Sequence, residues 1–150
     1  MVSLLNFFSL LFFLKMSDKA CLQNFGFTSK ENSHGVFQKK YPNRYILEVD
    51  LEKNVFNYGG QICFNETKNT LQNITKPEDW VVLECVDRLL EKGYKPEDIV
   101  LEKVYPTGHG TSGRLDVLVK KEGKAFLMIE CKTWGKEFEK EFKKIQQKGG

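Results

Sequence analysis

Between Tyr45 and Glu52 apolar and polar residues alternate, with Tyr45, Leu47, Val49 and Leu51 set against Ile46, Glu48, Asp50 and Glu52. A period of two marks a strand with one buried face, so a half-buried strand is expected here. Tyr58-Gly59-Gly60-Gln61 reads as a hairpin turn into a further strand at Ile62–Phe64. After Pro77 the period changes. Trp80, Val82, Leu83, Val86, Leu89 and Leu90 recur at spacings of three and four, which predicts an amphipathic helix. Its ends are punctuated: Thr75 is placed to cap, Glu78 to reach back, Pro77 suits the first turn, and Gly93 ends the run. Three apolar runs follow, Ile99–Tyr105, Arg114–Val119 and Phe126–Cys131, and these read as strands. A loop over 106–113 and a turn at Lys121-Glu122-Gly123-Lys124 separate them. From Trp134 a charged helix with Phe138, Phe142 and Ile145 on one face is expected to run to Gly149-Gly150. The order helix, three strands, helix predicts an α/β domain.

Two stretches fit no such period. Residues 25–40 are polar and glycine-bearing, and read as a loop or arm. Met1 to Leu14 carries no charge and holds Phe7, Phe8, Phe12 and Phe13. It is shorter than the roughly 20 apolar residues that span a bilayer, and it lacks the basic opening of a secretory signal. Two readings stay open for it: a packed N-terminal helix, or an upstream extension with the natural start at Met16. On this basis residues 1–24 form an apolar N-terminal segment and 25–150 the functional domain.

Composition narrows the class. Of 150 residues, 41% are apolar, 29% charged and 13% aromatic, which excludes a disordered chain, a coiled coil and a collagen-like repeat. The net charge of +3 conceals an uneven distribution. Residues 1–44 hold six cations and two acids, 45–102 six and twelve, and 103–150 eleven and six. A basic final third suits an anionic partner, although a lysine-rich solvated face has the same composition. Cys21, Cys63, Cys85 and Cys131 match no zinc spacing, and Cys85 and Cys131 lie in apolar runs. A reduced protein of the cytoplasm is the expectation.

The chemistry concentrates in Gly113-Arg-Leu-Asp-Val-Leu-Val119 and Phe126-Leu-Met-Ile-Glu-Cys-Lys-Thr133. Asp116 is a lone carboxylate in an apolar strand. Glu130 and Lys132 flank Cys131, so they share one strand face while Cys131 takes the other. Joined by a short hairpin, the two strands would bring Asp116 beside Glu130 and Lys132. Opposed carboxylates repel and need a cation to stay ionised. Two hard oxygen donors suit Mg²⁺, which keeps several waters, polarises a phosphate and acidifies a bound water, with an ammonium to orient that water. The competing reading is a plain cross-strand ion pair.

Asp116, thirteen intervening residues and then Glu130-Cys131-Lys132 resembles the PD-(D/E)xK nuclease motif. The surroundings, from the helix closing on Leu90-Glu91-Lys92-Gly93-Tyr94 through Glu102 to Ile129-Glu130-Cys131-Lys132, are similar to the N-terminal endonuclease domain of type I restriction enzyme motor subunits and related restriction nucleases. The resemblance covers 80–147. It implies a restriction-endonuclease-like core with a mixed central β-sheet flanked by helices. It further implies an endonuclease that hydrolyses double-stranded DNA to leave a 5′-phosphate and a 3′-hydroxyl, with Mg²⁺ as cofactor and Mn²⁺ as substitute. By position, Asp116 and Glu130 would be metal ligands with the Cys131 carbonyl as a third, Lys132 the catalytic lysine, and Glu84 a helix-borne acid. Against Glu84 stands a simpler role, an i, i+4 pair with Arg88 on an exposed face.

Such nucleases carry a Gln-x-x-x-Tyr motif on the next helix; Gln146 and Gln147 lie there, and no tyrosine follows before Gly150. The expectation is therefore a first domain of a longer restriction-modification protein, partnered by helicase, methyltransferase or specificity parts. His109 and the glycine-rich 108–113 match no P-loop and read as a flexible loop before a catalytic strand, with His109 or Thr111 as contacts to the DNA backbone; Trp134 and Lys136, just past that strand, are further DNA-contact candidates, Trp134 with a core role as its competing reading. The alternative function is a catalytically silent domain of the same fold that binds nucleic acid or serves assembly.

Overall fold

The computed structural model describes residues 3–8, 17–65, 67, 70–133, 140, 143, 144 and 147. The chain is a mixed α/β structure of two five-stranded sheets and two α-helices among these residues. Their order is β1 (Ser3–Phe8), α1 (Asp18–Asn24), β2 (Thr28–Ser29), β3 (Val36–Lys40), β4 (Ile46–Asp50), β5 (Val55–Asn57), β6 (Cys63–Phe64), β7 (Leu71–Asn73), α2 (Pro77–Glu91), β8 (Ile99–Gly108), β9 (Thr111–Lys121) and β10 (Lys124–Lys132). One sheet is mixed, in the order β1-β10-β9-β8-β6, and the other is antiparallel, β2-β3-β4-β5-β7.

Helix α2 is the element the sequence punctuates best. Its cap lies one residue later than expected: Lys76 precedes the helix, and Asp79, not Glu78, reaches back to the amides of Thr75 and Lys76 at 2.8 and 3.0 Å. Gly93, with φ +89°, takes the left-handed conformation that closes the C-terminus. The apolar spacing predicted one buried face, yet both sides of α2 are covered. Cys85 faces Cys131 of β10, Trp80 meets Phe56 of β5 edge-on at 5.0 Å, and Asp87 bonds Tyr41, just past β3, at 2.6 Å. The helix is thus the filling between the two sheets, and one continuous core runs through all three layers.

The alternating segment is β4, with Leu47 and Val49 wholly buried. The three apolar runs form the antiparallel meander β8-β9-β10, each strand longer than its run. At the β9–β10 turn both Glu122 (φ +52°) and Gly123 (φ +75°) have the positive φ that a type I′ hairpin requires. Three expectations are corrected. Residues 25–40 are not an arm, since they contain β2 and β3 and bury Phe25, Phe27 and Phe37. Tyr58–Gln61 does not turn back into a hairpin; β6 leaves the antiparallel sheet and pairs in parallel with β8. The apolar head contains a strand, not the packed helix that was one of its two readings. β1 lies parallel to β10, whose free edge supplies main-chain partners that outweigh local propensity. The C-terminal helix face of Phe138, Phe142 and Ile145, together with Trp134 and Lys136, lies outside the described residues; Lys140, Lys143, Lys144 and Gln147 are helical and exposed. Among the described residues no helix is long and apolar enough to cross a membrane.

Candidate functional site

The meander register puts the expected residues together. The β9–β10 register ends at Val117–Ile129, and continued by one step it would oppose Asp116 to Glu130. Directly opposed residues project from the same face, with Cβ atoms about 5 Å apart. Lys132, two positions beyond Glu130, shares that face and donates from Nζ to Glu130 Oε1 at 3.0 Å. The Asp116 carboxylate also has a backbone partner, accepting the Cys131 amide on Oδ2 at 2.7 Å. All three side chains are half-buried, at the end of the regular β9–β10 ladder.

Cys131 points the other way, into the core, and is 1% exposed. A hydrogen bond with Cys85, then burial, pushes its thiol pKa well up, so it stays protonated. Its side chain is a packing group, and it serves the site through its main chain, whose amide bonds Asp116. All four cysteines are free.

Glu84 does not join this group. It is 2% exposed, so the exposed-face reading is corrected. The expected pair with Arg88 forms at 2.6 Å on Oε1, while Oε2 is buried without a hydrogen-bond partner. Its charge is felt by Cys21 of α1, whose thiol is raised first by burial and then by Asp18 and Glu84. The helix acid held at the β10 end is instead Glu78, which accepts from Thr133 Oγ1 at 3.1 Å. Nothing in the sequence marks Glu78 beyond its place in the first helical turn. Among the described residues no three His, Cys, Asp or Glu side chains converge as a metal cluster.

Glu102 is a second acid at this level. The pairs Leu101–Val117 and Lys103–Leu115 bracket it, which sets it opposite Asp116 on β8. Its φ of +52° is unusual for a glutamate within a strand, and its carboxylate lies 3.8 Å from the Arg114 guanidinium.

The donor set, two carboxylates on adjacent strands with an ammonium beside one of them, fits Mg²⁺, which binds through one or two carboxylates and keeps waters elsewhere. It does not fit a thiolate metal, because the Cys131 sulfur is buried on the opposite sheet face. No protein-family model matches this chain, nor does any curated protein or solved structure.

Proposed function

We propose that the chain is a Mg²⁺-dependent endodeoxyribonuclease domain with a restriction-endonuclease-like core, acting on double-stranded DNA within a restriction-modification protein. The observation that carries this reading is the β9–β10 ladder, which ends at Val117–Ile129 with Asp116 and Glu130 next in line, the Asp116 carboxylate on the Cys131 amide and the Lys132 ammonium on Glu130. The run from α2 through the β8-β9-β10 meander supports the finer fold assignment.

In this reading Asp116 and Glu130 hold the metal through carboxylate oxygens, with the Cys131 carbonyl as a neighbouring donor. The bound ion would supply electrophilic assistance to the phosphate and a more acidic water. Lys132 is oriented by Glu130 and places its ammonium where charge develops on the phosphate oxygens. The Cys131 amide anchors Asp116, committing one carboxylate oxygen to the backbone and leaving the other for a metal.

Plasmid nicking by the full chain with Mg²⁺ or Mn²⁺ tests the assignment. Asp116→Asn and Glu130→Gln should each abolish nicking, and retained nicking in either variant would overturn it. A second reading, a module of the same fold that binds DNA without cutting, is favoured by one observation: no third acid converges on the pair among the described residues. Binding of a labelled duplex by a wild-type chain that never nicks would select it.

A further inference from the structure

β10 carries Glu130 and Lys132 at its end. β9 continues past that level, paired with β8 through the stretch expected as a loop, from Lys103–Leu115 to Gly108–Thr111. The β9–β10 register has already stopped at Val117–Ile129. What holds the end of β10 is therefore β1, alongside as far as Phe8–Lys132, and the Asp116 carboxylate on the Cys131 amide at 2.7 Å. Thr133 follows and belongs to no strand. A strand end past its ladder frays unless side chains hold it. Helix α2 supplies that hold. Cys85 faces Cys131, and Glu78, seven positions earlier, accepts the Thr133 hydroxyl at 3.1 Å. Seven residues of helix rise about 10 Å and two of strand about 7 Å, so the two contacts fall at successive levels and bracket Lys132. The start of α2 is itself fixed, because Asp79 takes the Thr75 and Lys76 amides.

We infer that the Glu78–Thr133 hydrogen bond is the anchor that holds Lys132 in place at the site, which makes Glu78 a positioning residue and not a metal ligand. What Lys132 does there rests on the nuclease reading; that it is held there does not. Cys131 and Thr133 both reach α2, so they share the core side of β10, whereas Glu130 and Lys132 take the other. Glu78 thus acts from behind the strand, through its end. A lysine has a flexible four-carbon stem and brings little orientation of its own, so its ammonium is only as well placed as the backbone that carries it. In Lys132 that ammonium lies 3.0 Å from Glu130 Oε1, with the side chain 27% exposed. Both Glu78 and Thr133 are half-buried, where a single hydrogen bond adds modestly to stability. Its weight falls on geometry instead, since displacing a reacting group by about 1 Å costs about a hundredfold in rate.

The test pairs lysine acetylation with plasmid nicking in the full chain. Brief competitive acetylation, read by mass spectrometry as Lys132 against exposed Lys140, should label Lys132 several-fold faster in Glu78→Ala and in Thr133→Val than in wild type, because the ammonium leaves Glu130. Glu78→Gln and Thr133→Ser keep the acceptor and the hydroxyl, and should restore the wild-type rate. Nicking should follow: in Glu78→Ala and Thr133→Val kcat falls about ten- to a hundredfold while KM for the plasmid stays within about twofold, and the conservative pair restores kcat. Thr133→Val is close to isosteric and keeps the test decisive should Glu78→Ala fail to fold. Unchanged labelling of Lys132 in both variants would overturn the anchor. So would a Glu78→Gln variant as impaired as Glu78→Ala, since Glu78 would then act through its charge, as a metal ligand does. The two readings fail separately. A wild-type chain that never nicks, with Lys132 labelling still dependent on Glu78 and Thr133, sinks the nuclease reading and leaves the anchor. Nicking at the wild-type kcat by folded Glu78→Ala and Thr133→Val variants sinks the anchor alone.

Discussion

Asp116 has two separable tasks, and two substitutions divide them. Its carboxylate accepts the Cys131 amide at 2.7 Å and stands opposite Glu130. Alanine removes both features, whereas asparagine keeps an acceptor and removes the charge. A hydrogen bond between a half-buried amide and a charged acceptor is worth about 1.5–3 kcal/mol. Relief of repulsion with Glu130 returns about 0.5 kcal/mol, the scale of a cross-strand charge pair at a half-exposed site. The hydrogen bond wins, so Asp116→Ala should lose about 1–2.5 kcal/mol, or about 3–9 °C in melting midpoint for a chain of this length. In Asp116→Asn the lost charge assistance and the relieved repulsion nearly offset, leaving stability within about 0.5 kcal/mol of wild type. Thermal melts with and without Mn²⁺ then read the second task. At about a hundred times its Kd, a single bound ligand stabilises by about 2.7 kcal/mol, so Mn²⁺ should raise the wild-type midpoint by several degrees and spare both variants. An asparagine variant as unstable as alanine would refute the anchoring role. A Mn²⁺ shift equal to wild type in either variant would refute ligation.

Three further outcomes follow from the surrounding packing. Native-state alkylation read by mass spectrometry should label Cys63, which is half-exposed, and spare Cys21, Cys85 and Cys131, with Cys131 held protonated by Cys85 and by burial; early labelling of Cys131 would contradict the packed α2–β10 contact. Glu84→Gln should leave nicking and the Mn²⁺ shift at wild-type levels while making the Cys21 thiol easier to ionise, and lost nicking would return Glu84 to the site. Lys39, 2.7 Å from Asp87 and 2.6 Å from Glu91, joins β3 to α2, and Lys39→Met should cost about 3 kcal/mol by leaving the buried Asp87 charge unpaired. Burial pulls the Lys39 ammonium down, but the hydrogen bonds to Asp87 and Glu91 outweigh it and hold its pKa above 10.5. A raised base contributes fully below pH 10.5 and loses its contribution as pH rises through the folded value, so the gap between wild type and variant should narrow above pH 10.5, and it should narrow again in acid as Asp87, whose pKa burial raises, takes up a proton.

What could be read from the sequence was what local rules decide. α2 has its period, its proline and its glycine within nineteen positions, counting from Thr75 to Gly93, and the β9–β10 turn has its Glu-Gly pair at the two positions that need positive φ. Because that turn is short, the opposition of Asp116 and Glu130 followed from counting. Of the antiparallel sheet only β4 was legible, since β2 and β7 have two and three residues, too few for a period to show. β3 hides for another reason: Lys39 breaks its apolar pattern, and the groups that make its burial tolerable, Asp87 and Glu91, come from α2. The two glycines after Tyr58 signal a reversal without saying which sheet receives the chain. Glu84 and Arg88 have the spacing of a solvated pair, and only the second sheet, absent from any local pattern, makes that face of α2 an interior.

The same distinction separates the site from the other buried acids. Asp79 is accounted for by capping, accepting from Thr75 and Lys76 at the start of α2. Asp87 is accounted for by Tyr41 and Lys39, which tie α2 to the antiparallel sheet. Each of these carboxylates has a structural partner set that explains its presence. Asp116 and Glu130 have less: one amide and one ammonium serve two opposed charges. Hydrophobic residues at both positions would continue the small cluster of Val100, Leu115, Leu118 and Met128 on the meander without that imbalance. A fold that keeps two carboxylates side by side at the end of a ladder carries a charge arrangement that stability alone does not call for, and a divalent cation between them would balance it.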